Sequence, residues 1–122
     1  MTQQELLFFN AMPDALVLYE ALREKILSQL PNTTIQVQKT QIAFRARYLF
    51  AFVSLRRIKG CPKVFLLLSF GLSHRLSSPR IAICSEPYPN RWTHHMIIDS
   101  PKQLDAELMG WLSEAWQFAQ TK

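Results

Sequence analysis

The hydrophobic period of this chain changes twice, and that narrows the folds open to it. Near both ends apolar residues recur at three- and four-residue intervals, the spacing of one helix face; through the middle the interval falls to two, the spacing of one sheet face. Thr2-Gln3-Gln4-Glu5 has the spacing of a capping box and predicts a short opening helix over about residues 3–10. Pro13 suits the first turn of a second helix, whose stripe is Ala15, Leu18, Tyr19, Leu22, Ile26 and Leu30, ended by Pro31-Asn32. Ser100-Pro101-Lys102-Gln103 predicts the start of a last helix with Leu104, Leu108, Trp111, Leu112 and Ala115 buried; Trp116 and Phe118 fall partly off that stripe, as extra core or as a subunit contact.

Between the helices, Ile35 and Val37 alternate with Thr34, Gln36 and Gln38. Ile42 and Phe44 alternate with Gln41, Ala43, Arg45 and Arg47, so an unbroken strand to Arg47 would set both arginines on one non-core face. Tyr48–Leu55 and Val64–Phe70 are apolar at both parities and read as central strands; residues around Ile81–Ile83 and Thr93–Asp99 supply the rest. The short connections favour hairpins. The expectation is one α+β domain: one N-terminal helix or two short ones, a mostly antiparallel sheet of about five to six strands, and a C-terminal helix on the sheet.

Charge follows the same division. Residues 31–98 hold ten Lys and Arg against a single acid, Glu86, while residues 1–30 and 99–122 are each net −2. Arg56, Arg57, Lys59 and Lys63 fall in one loop, where their expected role is to keep a hairpin soluble. The more informative cations are Arg45 and Arg47 on their strand, and Arg75, Arg80 and Arg91 near Glu86.

Residues 74–95 hold all three histidines and the segment Glu86-Pro87-Tyr88-Pro89-Asn90-Arg91-Trp92. Two prolines there predict a rigid loop, neither strand nor helix, presenting Tyr88, Arg91 and Trp92; Trp92 also reads as a plug at the sheet edge. Glu86 is expected to be the counter-ion of Arg80 or Arg91. His94 and His95 are adjacent, so on a strand they point to opposite faces and cannot share one ion; no metal site or other cofactor is expected. No Gly-rich phosphate loop, paired-carboxylate motif or GxSxG occurs, which leaves no assigned catalytic residue. An enzyme reading would use Glu86, His94 or Cys84, with Cys84 as a thiol beside His94; a small buried hydrophobe is the simpler role for that cysteine.

Cys61 and Cys84 show no CxxC or framework spacing and read as reduced thiols in a cytoplasmic protein. Apolar runs such as Val64–Leu68 are too short to span a bilayer, and MTQQELLFFNAM lacks a basic leader, so neither a membrane segment nor a signal peptide is expected.

The strings VQKTQIAF (Val37–Phe44), LSSPRI (Leu76–Ile81), EPYPNRWTHH (Glu86–His95) and DAELMGWLSEAWQFA (Asp105–Ala119) resemble a bacterial family of domains of unknown function. That family comprises small stand-alone proteins and the ends of proteins described as predicted transport proteins. The resemblance implies a compact α+β domain and brings no activity or catalytic residues with it. The element order is also similar, more loosely, to small double-wing domains suspected of DNA binding.

From the residues, the expected function is a non-catalytic binding module. Arg45, Arg47, Arg75, Arg80 and Arg91 would line a groove for an anionic ligand or an acidic protein partner, shaped by Glu86, Tyr88, Trp92, His94 and His95. Nucleic acid bound by the same arginines is the alternative, and a homodimer is compatible with so small a domain.

Overall fold

A computed structural model describes residues 1–121. Helix α1 (Gln3–Phe8) opens on the Thr2 capping box: the Glu5 amide donates to Thr2 Oγ1, and the Thr2 amide to Glu5 Oε1. Single 3-10 turns at Phe9–Ala11 and Pro13–Ala15 lead into α2 (Leu16–Gln29). All six residues of the stripe read from the sequence, Ala15, Leu18, Tyr19, Leu22, Ile26 and Leu30, are buried. The chain leaves α2 through Asn32, whose φ of 58° lies in the left-handed region that asparagine tolerates.

Six antiparallel strands follow: β1 (Thr34–Val37), β2 (Ile42–Arg45), β3 (Leu49–Ser54), β4 (Leu66–Leu72), β5 (Ile83–Tyr88) and β6 (Arg91–Ile98). Their spatial order is β1-β2-β3-β4-β6-β5, so the last strand in sequence lies between β4 and β5. The fold is α+β, with α3 (Ala106–Gln120) packed on β3 and β4. On the helix side of the sheet, Ile42, Phe44, Val53, Leu66, Leu68, Phe70, Met96 and Ile98 meet Leu18, Tyr19, Leu22, Leu108 and Leu112 in one buried cluster.

Several expectations from the sequence change here. The strand expected to reach Arg47 stops at Arg45: the partner of Phe44 is Ala51 and that of Arg45 is Leu49, leaving Phe50 as an extra residue. This bulge lets Phe50 and Ala51 both join the core and puts Arg47 in the following bend, exposed beneath no strand neighbour, its guanidinium 5.4 Å from the Tyr48 ring. Arg45 and Arg47 therefore do not share a strand face. Glu86, Pro87 and Tyr88 belong to a strand, β5, rather than a loop. Proline is tolerated there because β5 is an edge strand and its register with β6 shifts between Ser85 and Tyr88. The turn itself is Pro89-Asn90, with Asn90 at φ 61°. Trp92 lies half-buried opposite Leu72 on the interior strand β6, so it does not close the sheet edge.

The Ser100 capping box forms, but it nucleates one 3-10 turn, Pro101–Gln103; α3 then starts on its own cap, Asp105, whose carboxylate accepts from the Leu108 amide. Trp116, off the main stripe, donates its indole N–H to the Pro31 carbonyl at 3.2 Å. Among the described residues no helix is long and apolar enough to cross a membrane.

Candidate ligand-binding cavity

Helices cover one face of the sheet; the other carries a cavity of about 810 Å³. Its floor is built by registers alone. Ala43, Phe52, Ser69, His95 and Ile83 occupy one row across β2, β3, β4, β6 and β5, and alternation aims them all away from the core. Phe52, Leu67, Ser69 and His95 from these strands line the cavity together with Ser54. The walls are Leu7, Phe8 and Ala11 of the N-terminal segment, Lys39, Thr40 and Gln41 of the β1–β2 turn, and Leu55 and Arg56 after β3.

The segment between β3 and β4 folds back over this face. Arg57 fastens it, donating to the carbonyls of Cys61 (3.1 Å), Pro62 (2.8 Å) and Lys63 (3.3 Å) and lying 4.9 Å from the Phe65 ring. Gly60 sits at φ +94°, and a Cβ there would stand 3.6 Å from Ile97 Cδ1, so the turn rests against β6. The four cations of this loop are thus not merely solubilising: Arg57 holds its shape and Arg56 faces the cavity.

The polar groups of the cavity are mostly donors. Neither the Arg56 guanidinium nor the Lys39 ammonium has a hydrogen-bond or ion-pair partner among the described residues, whose ion pairs all lie elsewhere. His95 Nδ1 is 2.6 Å from Ser69 Oγ. Burial, and then the charge of Arg56, pull the His95 pKa below its ordinary value, so the ring is neutral at pH 7. When Ser69 donates to Nδ1, the ring proton lies on Nε2, which has no partner among the described residues and is not sealed off. No Asp or Glu lies among the described residues that line the cavity.

The residues expected to form one groove are dispersed. Arg45, Arg47, Tyr88 and Arg91 gather at one end of the sheet, where the β2–β3 and β5–β6 turns lie; Tyr88 is 65% exposed. Arg45 on β2 and Tyr88 on β5 are four strand spacings apart, about 19 Å. Arg75 lies in the β4–β5 loop on a separate, more polar depression that includes Ser77, Ser78 and Cys84. Arg80 is committed to α3: its Nη1 contacts Asp105 at 3.0 Å and Glu107 at 2.8 Å, its Nη2 donates to the Gln103 carbonyl at 2.8 Å, and it lies 5.6 Å from the Trp111 ring. Glu86 consequently is not its counter-ion; the exposed Glu86 carboxylate accepts from the Asn90 amide at 3.0 Å and shapes the turn, and it pairs with no arginine among the described residues.

His94 is fully buried on the core side, stacked on Phe70 at 5.3 Å, and accepts the Leu76 amide at 3.0 Å through Nε2. Its Nδ1 is the one buried side-chain nitrogen or oxygen among the described residues without a hydrogen-bond partner. Burial also lowers its pKa. Cys84 lies directly across from His94 in the register, with its thiol pKa raised by burial against the opposing charge of Arg75. Burial and depressed acidity both favour the unreactive thiol. His74 instead faces Glu114 on α3, at 2.7 Å. Among the described residues no three of His, Cys, Asp and Glu converge as metal ligands would.

Of the expected site residues, only His95 lines the cavity. Arg56 is hidden in the sequence within a run of loop cations. The available signal was parity: Phe52, Ser54 and Arg56 are two apart, and all three line the cavity.

A protein-family model described as a domain of unknown function (DUF5655) matches residues 7–119. No curated protein and no solved structure matches the chain.

Proposed function

Because this chain belongs to the DUF5655 family, whose description assigns no activity, we propose from its geometry that it is a small binding module taking an anionic ligand in the cavity on the open face of the sheet. The observation that carries this reading is the pairing of unpartnered Arg56 and Lys39 with apolar walls and no carboxylate among the described lining residues. A cation without a partner beside apolar surface is worth most when an anion arrives, since a charge-assisted hydrogen bond is then made where water is partly excluded. The volume falls in the range of small-molecule sites.

A nucleophilic role for Ser69 has less support. Its hydroxyl meets His95 at hydrogen-bond distance, but the residue is 0% exposed, so a carbonyl carbon has no approach to the oxygen.

The test is titration with 1-anilinonaphthalene-8-sulfonate, a fluorescent anion with an apolar body. Arg56→Gln is expected to weaken its binding by about tenfold or more, and Lys39→Gln by a smaller factor. Unchanged affinity in the double variant would remove the cavity from consideration.

Arg45, Arg47 and Arg91, with exposed Tyr48 and Tyr88, lie along one end of the sheet and favour a second reading, nucleic acid held there. Binding of single-stranded DNA would then fall with salt at a slope near −0.7 for each phosphate neutralised, and Arg47→Gln with Arg91→Gln would flatten that slope.

A further inference from the structure

The charges and walls of the cavity specify more than an anion. Arg56 and His95 both line the cavity. Neither the Arg56 guanidinium fork nor His95 Nε2 has a partner among the described residues. The apolar part of the lining is Leu7, Phe8, Ala11, Phe52, Leu55 and Leu67, and Leu7 is 54% exposed, a large apolar side chain left uncovered. Cationic support is limited to Arg56 and Lys39.

We propose that the ligand is an amphiphilic carboxylic acid, its carboxylate held by Arg56 and by the His95 Nε2 proton, with Lys39 adding charge from the turn, and its apolar chain lying along Leu7, Phe8 and Leu55. A carboxylate fits this donor set because its two oxygens take two parallel bonds from one guanidinium and a third from the imidazole. The neutral ring supplies a hydrogen bond without adding to the charge of Arg56 and Lys39. This inference rests on the anion-binding reading of the same cavity.

Hexanoate, heptanoate, octanoate, octanol and an acidic peptide, each titrated as a competitor of 1-anilinonaphthalene-8-sulfonate on the full chain, provide the test. Each added methylene from hexanoate to octanoate is expected to tighten binding about fourfold, the equivalent of ~0.8 kcal/mol per buried CH2. Octanol is expected to compete at least tenfold more weakly than octanoate. Leu7→Gln, a change at an exposed site that leaves the core intact, is expected to flatten the chain-length dependence without abolishing binding of the dye. Equal affinity along the series, octanol competing as well as octanoate, a chain-length dependence untouched by Leu7→Gln, or displacement by the acidic peptide alone would each overturn the assignment. Should the dye bind in an Arg56-dependent manner while no straight-chain acid displaces it, the carboxylate class fails and the anion site stands. If dye binding does not depend on Arg56, both fail.

Discussion

Glu5→Ala is expected to destabilise the protein by about 3–5 kcal/mol, the usual cost of removing one member of a buried ion pair. For a chain of this length that lowers the midpoint of thermal unfolding by roughly 12–20 °C. Glu5 is 1% exposed although it lies in the first helix, and three groups converge on it through four hydrogen bonds. The Tyr19 hydroxyl donates to Oε2, Arg23 Nε donates to the same oxygen at 2.8 Å, Arg23 Nη2 reaches Oε1 at 3.5 Å, and the Thr2 amide donates to Oε1 at 2.9 Å. Truncation strands the Tyr19 hydroxyl in the core and releases α1 from α2. Burial pushes the Glu5 carboxyl up, but the Thr2 amide, Tyr19 and Arg23 more than reverse this and hold it at about 2, against an ordinary value of 4.5. The folded state therefore binds its proton later than the unfolded chain does. The resulting stabilisation is complete above pH 4.5 and is lost as pH falls toward 2; it amounts to about 3 kcal/mol at 1.36 kcal/mol per unit. Chemical denaturation followed by circular dichroism at a series of pH values checks both statements. Glu5→Gln should flatten the acid limb between pH 4.5 and 2; a wild-type limb persisting unchanged in that variant would contradict the assignment. His94 and His95, whose pKa values burial lowers, contribute in the same direction: stability they leave intact at neutral pH declines as pH falls through 6.5.

Phe70→Ala is expected to cost about 3–5 kcal/mol, through lost burial and the cavity left behind. Phe70 is 1% exposed and stands between two rings, His94 at 5.3 Å with 13° between planes and Trp111 at 6.2 Å with 23°. Its removal opens space beside a buried imidazole whose Nδ1 already lacks a partner, so water entering that space would have a polar group to solvate. The same measurement has an optical readout: Trp111 emission should shift to longer wavelength in the folded variant as its stacking partner disappears. A loss below about 1 kcal/mol, or an unaltered Trp111 spectrum, would mean the three-ring stack contributes little to the core.

Local signals in the sequence were sufficient wherever a residue's role depends on its near neighbours. The α2 stripe from Ala15 to Leu30, the Thr2 cap and the period-two strands follow from spacing, and all are present in the fold. Misreadings arose where a distant partner decides. Pro87 excludes a central strand but not an edge one, and only the order β4-β6-β5 puts it on an edge. The Ser100 cap forms as its sequence requires, yet Leu104 turns into the core at ψ 59° and ends the turn, so Asp105 must cap α3 afresh. Arg80 was grouped with Glu86 by proximity in sequence, whereas its carboxylates come from Asp105 and Glu107, more than twenty residues away. The cavity was the least legible feature because its floor is a row of single residues drawn from separate strands. Phe52, Ser69 and His95 are neighbours only after β6 has inserted beside β4.

The two edges of this sheet also govern how copies of the protein can meet. Strand β1 has four residues and lies beside α1, while β5 carries Pro87, which lacks an amide proton, next to a register shift. Neither margin offers the long, flat row of free amides and carbonyls that templates strand addition. Runaway ladder growth into fibrils is thus blocked at both borders by backbone chemistry, even though the interior strands are among the most apolar in the chain. Self-association through exposed side chains such as Tyr88 and Val17 would instead be reversible by dilution rather than templated.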